Sequence, residues 1–208
     1  MCDHQHNNLF DPELAADLIR RIRAKVWKVI WLGTPCQTFS RARRFDGTGM
    51  DPLRDVSCPR GLPTLGHYDR AKVALGNAGL DFTLEVLRAA ADSNVYAVLE
   101  NPFTSMLWDM PEIKSFTQDY SPIFDVVDFC QYGTPWRKRT ALMSVCGQSL
   151  DLRVCAGAPG QCSRSSRPHV RLTGRDPRGV FWTLRAQPYP PQLTEEVAIK
   201  IAGFFTAW

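Results

Sequence analysis

Val26-Trp27-Lys28-Val29-Ile30-Trp31-Leu32-Gly33-Thr34-Pro35-Cys36-Gln37-Thr38-Phe39-Ser40 decides how this chain is read. The run from Val26 to Leu32 has the β-branched and aromatic make-up of a buried strand. Gly33 and Pro35 end it, and a lone cysteine follows at once. A side chain just beyond the carboxyl end of a buried strand lies at the ligand-binding edge of an α/β sheet. Pro35 stiffens the turn, and Cys36 offers a thiolate, the best soft nucleophile a protein has. The plainer alternative is a cysteine packed under the turn.

Two further stretches bear on the choice. Val95-Tyr96-Ala97-Val98-Leu99 is a second short apolar run, and it delivers Glu100-Asn101-Pro102 at its own carboxyl end. Were the two runs parallel strands, Cys36 and Glu100 would share one rim. Gln131-Tyr132-Gly133-Thr134-Pro135-Trp136-Arg137-Lys138-Arg139 joins the apolar runs Ile123 to Phe129 and Thr140 to Cys146. A Gly-Thr-Pro turn followed by three cations reads as a hairpin presenting positive charge.

In this order the three motifs resemble those of the DNA cytosine-5 methyltransferase family: its Pro-Cys-Gln loop, its Glu-Asn-Val/Pro motif and its Tyr-Gly-x-Pro-Gln-x-Arg-x-Arg segment. Tyr189-Pro190-Pro191-Gln192-Leu193-Thr194 through Ile201-Ala202 resembles the last motif of that family, a proline followed by a helix that returns to the catalytic domain. The resemblance covers residues 26 to 146 well and 187 to 204 loosely. It implies a Rossmann-like α/β sheet, DNA as partner and S-adenosylmethionine as methyl donor. It also implies Cys36 as the nucleophile on cytosine carbon 6, with Glu100 as the acid at ring nitrogen 3. Arg139 would contact the base and Arg137 would orient the loop. Pro35, Gln37, Ser40, Asn101 and Pro102 would shape the substrate pocket, with Arg41, Arg43 and Arg44 beside it. The target base would have to leave the duplex stack.

Departures are equally plain. Trp136 stands where the family has Gln, and the arginine pair comes one residue early, so Arg137 or Lys138 could take the place of the first arginine. The Gly-rich loop that binds S-adenosylmethionine would precede the Cys36 strand, and only about 25 residues are there. Those residues read instead as a helix, capped by Asp11, started by Pro12, with Leu14, Leu18, Ile19, Ile22 and Val26 on one face. Gly47-Thr48-Gly49 and Gly76-Asn77-Ala78-Gly79 follow no strand and read as loop and helix-start punctuation. The sheet is thus expected to be truncated at its N-terminal side. A separate chain supplying the cofactor half, a truncated product and a catalytically inactive nucleic-acid-binding relative all remain open. A pyrimidine nucleotide enzyme that attacks carbon 6 through a Pro-Cys pair is a third class, disfavoured by Glu100-Asn101-Pro102 and the arginine hairpin.

The remaining chain divides by composition. Residues 1–146 read as the catalytic core, 147–185 as a small irregular basic insertion in the place of a recognition segment, and 186–208 as the returning helix. Residues 41–68 form a loop suited to a mobile lid, and 69–93 read as one or two helices. Further helices are expected after Ser105 and Met110, and a strand at Gly179 to Leu184. From Arg153 to Arg185 seven arginines face the single acid Asp176, a balance suited to phosphate contacts or to plain solvation. Cys155, Cys162 and His169 in that segment, with Cys146 before them, could close a tetrahedral zinc site, with Cys130 or Cys58 as other possible fourth ligands. Cys2, His4 and His6 make a second cluster that reads as a mobile terminus. With 208 residues, 44% hydrophobic and a net charge of +4, the chain is long enough for a well-buried core. No apolar run approaches the roughly 18 residues of a membrane span. Seven cysteines are an odd number for a disulfide framework, so an intracellular, reducing compartment is expected.

Overall fold

The computed structural model describes residues 8–43, 50–158 and 160–206. Arg44, Gly47-Thr48-Gly49 and the Cys2, His4, His6 cluster lie outside the described residues. Helix α1 (Pro12–Arg23) begins as its sequence directs: Asp11 Oδ1 accepts from the N–H groups of Glu13 at 2.9 Å and Leu14 at 3.3 Å. Lys25 then takes a left-handed turn at φ +56°. This delays strand β1 (Val29–Gly33) by three residues relative to its expected start.

Helix α2 (His67–Asp92) is one unbroken element of 26 residues, so Gly76 and Gly79 are interior positions and not helix-start punctuation. Burial of Val73, Leu80, Leu84 and Leu87 along one face outweighs the cost of about 1 kcal/mol for each interior glycine. Strand β2 (Tyr96–Pro102) is buried from Tyr96 to Asn101. A 3₁₀ turn at Met106–Asp109 and helix α3 (Pro111–Tyr120) follow, the latter started by its proline and ended by left-handed Ser121. Strand β3 (Ile123–Asp128), a second 3₁₀ turn at Phe129–Tyr132 and strand β4 (Arg139–Val145) flank the cationic turn. The chain closes with the short helix α4 (Trp182–Arg185) and helix α5 (Pro191–Thr206).

The result is an α/β fold with a four-stranded mixed sheet in the order β1-β2-β4-β3. β1 and β2 are parallel neighbours, in a register that sets Gly33 against Glu100. The expected strand at Gly179 to Leu184 is not formed. Asp176 Oδ1 instead accepts from Arg178 N at 2.9 Å and Val180 N at 2.8 Å, and Gly179 turns the chain at φ +79°. Only Arg175 and Phe181 pair, and a helical turn follows directly.

The described residues fall into two compact units, within Met1–Ile123 plus Met143–Gly147 and within Phe124–Leu142 plus Gln148–Trp208. The first has a conventional core in which Leu80, Leu87, Leu99, Leu107, Ile113 and Phe116 are all but fully buried. Each such side chain contributes about 1.5–3 kcal/mol. In the second, helix α5 packs on the 3₁₀ turn at Phe129–Tyr132. There the Tyr132 hydroxyl donates to Glu196 at 3.2 Å and accepts from the Arg153 N–H at 3.1 Å. Cys130, Cys155 and Cys162 form a further buried cluster.

Candidate functional site

The parallel register of β1 and β2 carries Cys36 and Glu100 to the same end of the sheet, as strand polarity requires. Cys36 is half-buried three residues past the end of β1, and Glu100 is 8% exposed, two residues before the end of β2. Three contacts shape the loop between them. Asn101, fully buried, donates its amide to the Thr34 carbonyl at 2.7 Å. Thr34 and Thr83 hydroxyls lie 2.6 Å apart, and because Thr83 spends its proton on the Gly79 carbonyl, Thr34 is the donor. Met106 N donates to the Phe39 carbonyl at 2.8 Å, tying the cysteine loop to the turn after Pro102. Pro35 and Gln37 are exposed, Pro102 is half-buried, and the Ser40 hydroxyl accepts from Ala42 N at 3.2 Å. Arg41 pairs with Asp109, and Arg43 donates to the Asp51 carbonyl at 3.0 Å.

The strongest constraint on this loop is Arg54, which composition placed in a mobile lid. It is 2% exposed. Its guanidinium donates to Thr38 O at 3.1 Å, Thr38 Oγ1 at 3.0 Å, Pro59 O at 2.8 Å, Asn77 Oδ1 at 2.6 Å and Val73 O at 3.2 Å, and it lies 4.0 Å over the Phe39 ring. Burial, assisted by nearby Arg60, lowers its pKa to about 10, so it is still charged at neutral pH. The segment around Arg54 is therefore clamped between the cysteine loop and α2. Gly76 makes that approach possible. A Cβ there would collide with Thr38 Oγ1 and come within 2.9 Å of Arg54 Nη2. Nothing in the local sequence marks Arg54, since an arginine in a Pro- and Gly-rich loop is normally solvated.

The cationic turn belongs to the second unit and is organised by Asp128, which is fully buried. Arg139 binds it in a fork, Nε at 3.0 Å and Nη2 at 2.7 Å, and Arg137 Nε lies 3.2 Å away. Cys155 N donates at 2.8 Å to Oδ2, the oxygen that also accepts from Arg139 Nη2, and Arg137 Nη2 donates to the Cys155 carbonyl at 3.3 Å. Burial pushes the Asp128 pKa up, but the bonds from Arg139, Cys155 N–H and Arg137 outweigh it and hold the carboxyl below its usual range. The same pairing raises Arg139. Lys138 stands apart, its ammonium 4.7 Å over the Phe129 ring. Of the two candidates for the first arginine position, Arg137 is thus the one grouped with Arg139. Trp136 packs edge-on against Trp182 at 6.2 Å.

Cys130, Cys155, Cys162 and His169 converge, with their ligand atoms all within 4.8 Å of one another. This cluster could hold a metal ion. Cys146, expected as the fourth ligand, is not a member. It leaves β4 in a left-handed conformation at φ +58°, and its thiol rests on the carbonyls of Ala90 and Ala91 at the end of α2. Cys130 takes its role, carried in by the 3₁₀ turn that follows Asp128. Cys155 and Cys162 are buried, which by itself raises a thiol. Yet N–H donors from Ser163 and Gly157 lower Cys155 to about 6, and those from Ser165 and Arg164 lower Cys162 to about 7. Burial pushes Cys130 up to about 12.

The Arg-rich segment is partly consumed within its own unit. Arg153 pairs with Glu196 at 2.6 Å, Arg164 donates to the Cys130 carbonyl at 2.8 Å, Arg175 covers Phe181, and Arg185 pairs with Asp176 at 3.0 Å. Arg167, Arg171 and Arg178 are exposed.

A recess of about 330 Å³ lies between α1, β1 and α2, lined by Leu18, Ile22, Trp27, Ile30, Phe82 and Val86 among others. Its side chains are apolar save for the indole of Trp27. It has no carboxylate for ribose hydroxyls and no amide for an amino-acid moiety, so it does not fit S-adenosylmethionine. Among the described residues no helix is long and apolar enough to cross a membrane. Compared with models of protein families, with curated proteins and with solved structures, the chain matches none.

Proposed function

We propose that this chain carries the nucleophilic half of a DNA cytosine-5 methyltransferase, with DNA as substrate and Cys36 as the attacking group. The observation that carries the reading is the parallel register of β1 and β2, which sets a Pro-Cys-Gln loop and a Glu-Asn-Pro strand end on one rim. With a flipped cytosine in place, the Cys36 thiolate forms a bond to carbon 6, and the electron pair of the C5–C6 double bond moves into the ring. Glu100 gives its proton to ring nitrogen 3, which leaves a neutral enamine at carbon 5. The resemblance alone assigns Arg139 to the base and Arg137 to the loop.

S-adenosylmethionine is the methyl donor implied by the resemblance. The apolar recess does not fit it, and a separate chain supplying the cofactor-binding half is the partner this reading calls for. The cysteine–histidine cluster would hold a structural Zn²⁺, and the unbridged cysteines suit an intracellular, reducing compartment.

The nucleophilic half can be tested alone. The enamine accepts a solvent proton at carbon 5, then loses the original hydrogen as the C6–S bond breaks and Glu100 recovers its proton from nitrogen 3. Incubation with DNA tritiated at cytosine carbon 5 is expected to release tritium to water, with release abolished by Cys36→Ala and reduced about 10²-fold or more by Glu100→Gln. DNA binding without any release would instead support a catalytically inactive nucleic-acid-binding module, a reading favoured by the misfit of the recess and by exposed Arg167, Arg171 and Arg178. Release from free cytidine nucleotides but not from DNA would move the protein to a different enzyme class.

A further inference from the structure

Besides buried apolar side chains such as Phe129, Leu150 and Leu193, the second unit holds a cluster of three cysteines and a histidine. The four ligand atoms of Cys130, Cys155, Cys162 and His169 lie within 4.8 Å of one another, and Cys155 Sγ is 3.8 Å from His169 Nε2. A tetrahedral zinc site with Zn–S bonds of about 2.3 Å has edges of about 3.8 Å. The four groups therefore need only small adjustments to share one ion. Three soft thiolates and one imidazole form a closed structural donor set for Zn²⁺, not an open catalytic one.

The surroundings of the sulfurs are built for thiolates. Ser163 N donates to Cys155 Sγ at 3.4 Å, and Gln131 Nε2 lies 3.5 Å from Cys130 Sγ and 3.7 Å from Cys162 Sγ. Cys162 sits in a tight loop, its N–H on the Arg167 carbonyl at 2.9 Å and its carbonyl taking Ser166 N at 2.8 Å, and the Gln161–Pro168 bridge closes that loop. The His169 N–H donates to the Gly160 carbonyl at 2.7 Å, which fixes the backbone of the fourth ligand. At Gly157 a Cβ would collide with the Gln161 carbonyl and reach within 2.8 Å of Ser163 N, so the two cysteine-bearing segments meet only because that residue is glycine.

Two of the ligands also frame the buried carboxylate. Cys130 follows Asp128 by two residues. Cys155 N donates to Asp128 at 2.8 Å, and its carbonyl accepts from Arg137. We infer that Zn²⁺ bound by Cys130, Cys155, Cys162 and His169 locks Asp128 in place and through it presents Arg137 and Arg139, so that the arginine pair is metal-dependent. This extends the metal part of the proposed function and does not depend on methyl transfer. Arg137 and Arg139 are in this sense positioned by the ion, and the ion takes part in no chemical step.

The test uses the full chain. Purified protein is expected to carry one zinc per chain by elemental analysis, unchanged in Cys146→Ser and lost in Cys130→Ser. Exchange for Co²⁺ should give the visible bands of a tetrahedral ion with thiolate-to-cobalt charge transfer. His169→Cys, which keeps four ligands, should retain the metal and strengthen that charge transfer even if Cys130→Ser fails to fold. Removing the ion with a chelator under reducing conditions should speed tryptic cleavage after Arg137, Lys138 and Arg139 by about tenfold or more. Folded wild-type protein with no metal, or with a mass two hydrogens lighter and its cysteines bridged, would overturn the site. Bound zinc whose removal leaves cleavage at the arginines unchanged would overturn the bracing. Loss of DNA-dependent tritium release with zinc intact would count against the methyltransferase reading alone.

Discussion

The two units hold their functional loops by opposite means. In the first, the cysteine loop rests on a packed hydrocarbon core and is pinned by one buried arginine whose five acceptors come from three segments of chain. In the second, the arginine turn is pinned by one buried carboxylate, which also accepts from the N–H of Cys155, a member of the cysteine–histidine cluster. The second unit also buries Phe129, Leu150, Leu152 and Leu193, and an ion shared by the four clustered ligands would add a cross-link to that packing. The contrast predicts that the units fail under different insults.

The largest effect is expected from metal removal. Hydrogen exchange before and after chelation should show protection collapsing through residues 128–139 and 153–170, while amides of residues 80–99 are almost unchanged. Uniform loss across both regions would erase the contrast. Arg54→Met comes next. It leaves several buried acceptors unpaired and should destabilise the first unit by about 3–5 kcal/mol in chemical denaturation, leaving the zinc content intact. A change under 1 kcal/mol would show that the carbonyls around Arg54 find other partners. Gly76→Ala is the finest probe. The alanine favours the helix by up to about 1 kcal/mol, but its Cβ collides with Thr38, so a net loss of about 1–3 kcal/mol is expected. A gain in stability would mean that the loop yields freely, as a lid does.

These probes fall where sequence reading and structure diverge. Both parallel strands of the rim, the Asp11-capped helix, the arginine turn and the convergence of Cys155, Cys162 and His169 were legible, because strand patterning, capping and ligand spacing are local signals. Gly76 and Gly79 were misread as punctuation, because glycine marks either a chain break or a close approach and only a neighbour distinguishes them. Cys130 and Cys146 flank the same hairpin and look equivalent in one dimension. The left-handed turn at Cys146 directs its thiol to the carbonyls that end α2, and the 3₁₀ turn after Asp128 carries Cys130 into the cluster.

By itself, the sequence determined the α/β class, the polarity that carries Cys36 and Glu100 to one end of the sheet, and the residue types from which a nucleophile, an acid and a metal cluster can be made. Tertiary structure alone decided that Arg54 is a clamp, that Asp128 gathers Arg137 and Arg139 while Lys138 stands apart, and that Cys130, not Cys146, joins Cys155, Cys162 and His169. The division has a physical cause. Secondary structure and strand direction follow from periodicity over a few residues, whereas the burial of a charge is settled by acceptors that arrive from distant segments once the chain has closed around it.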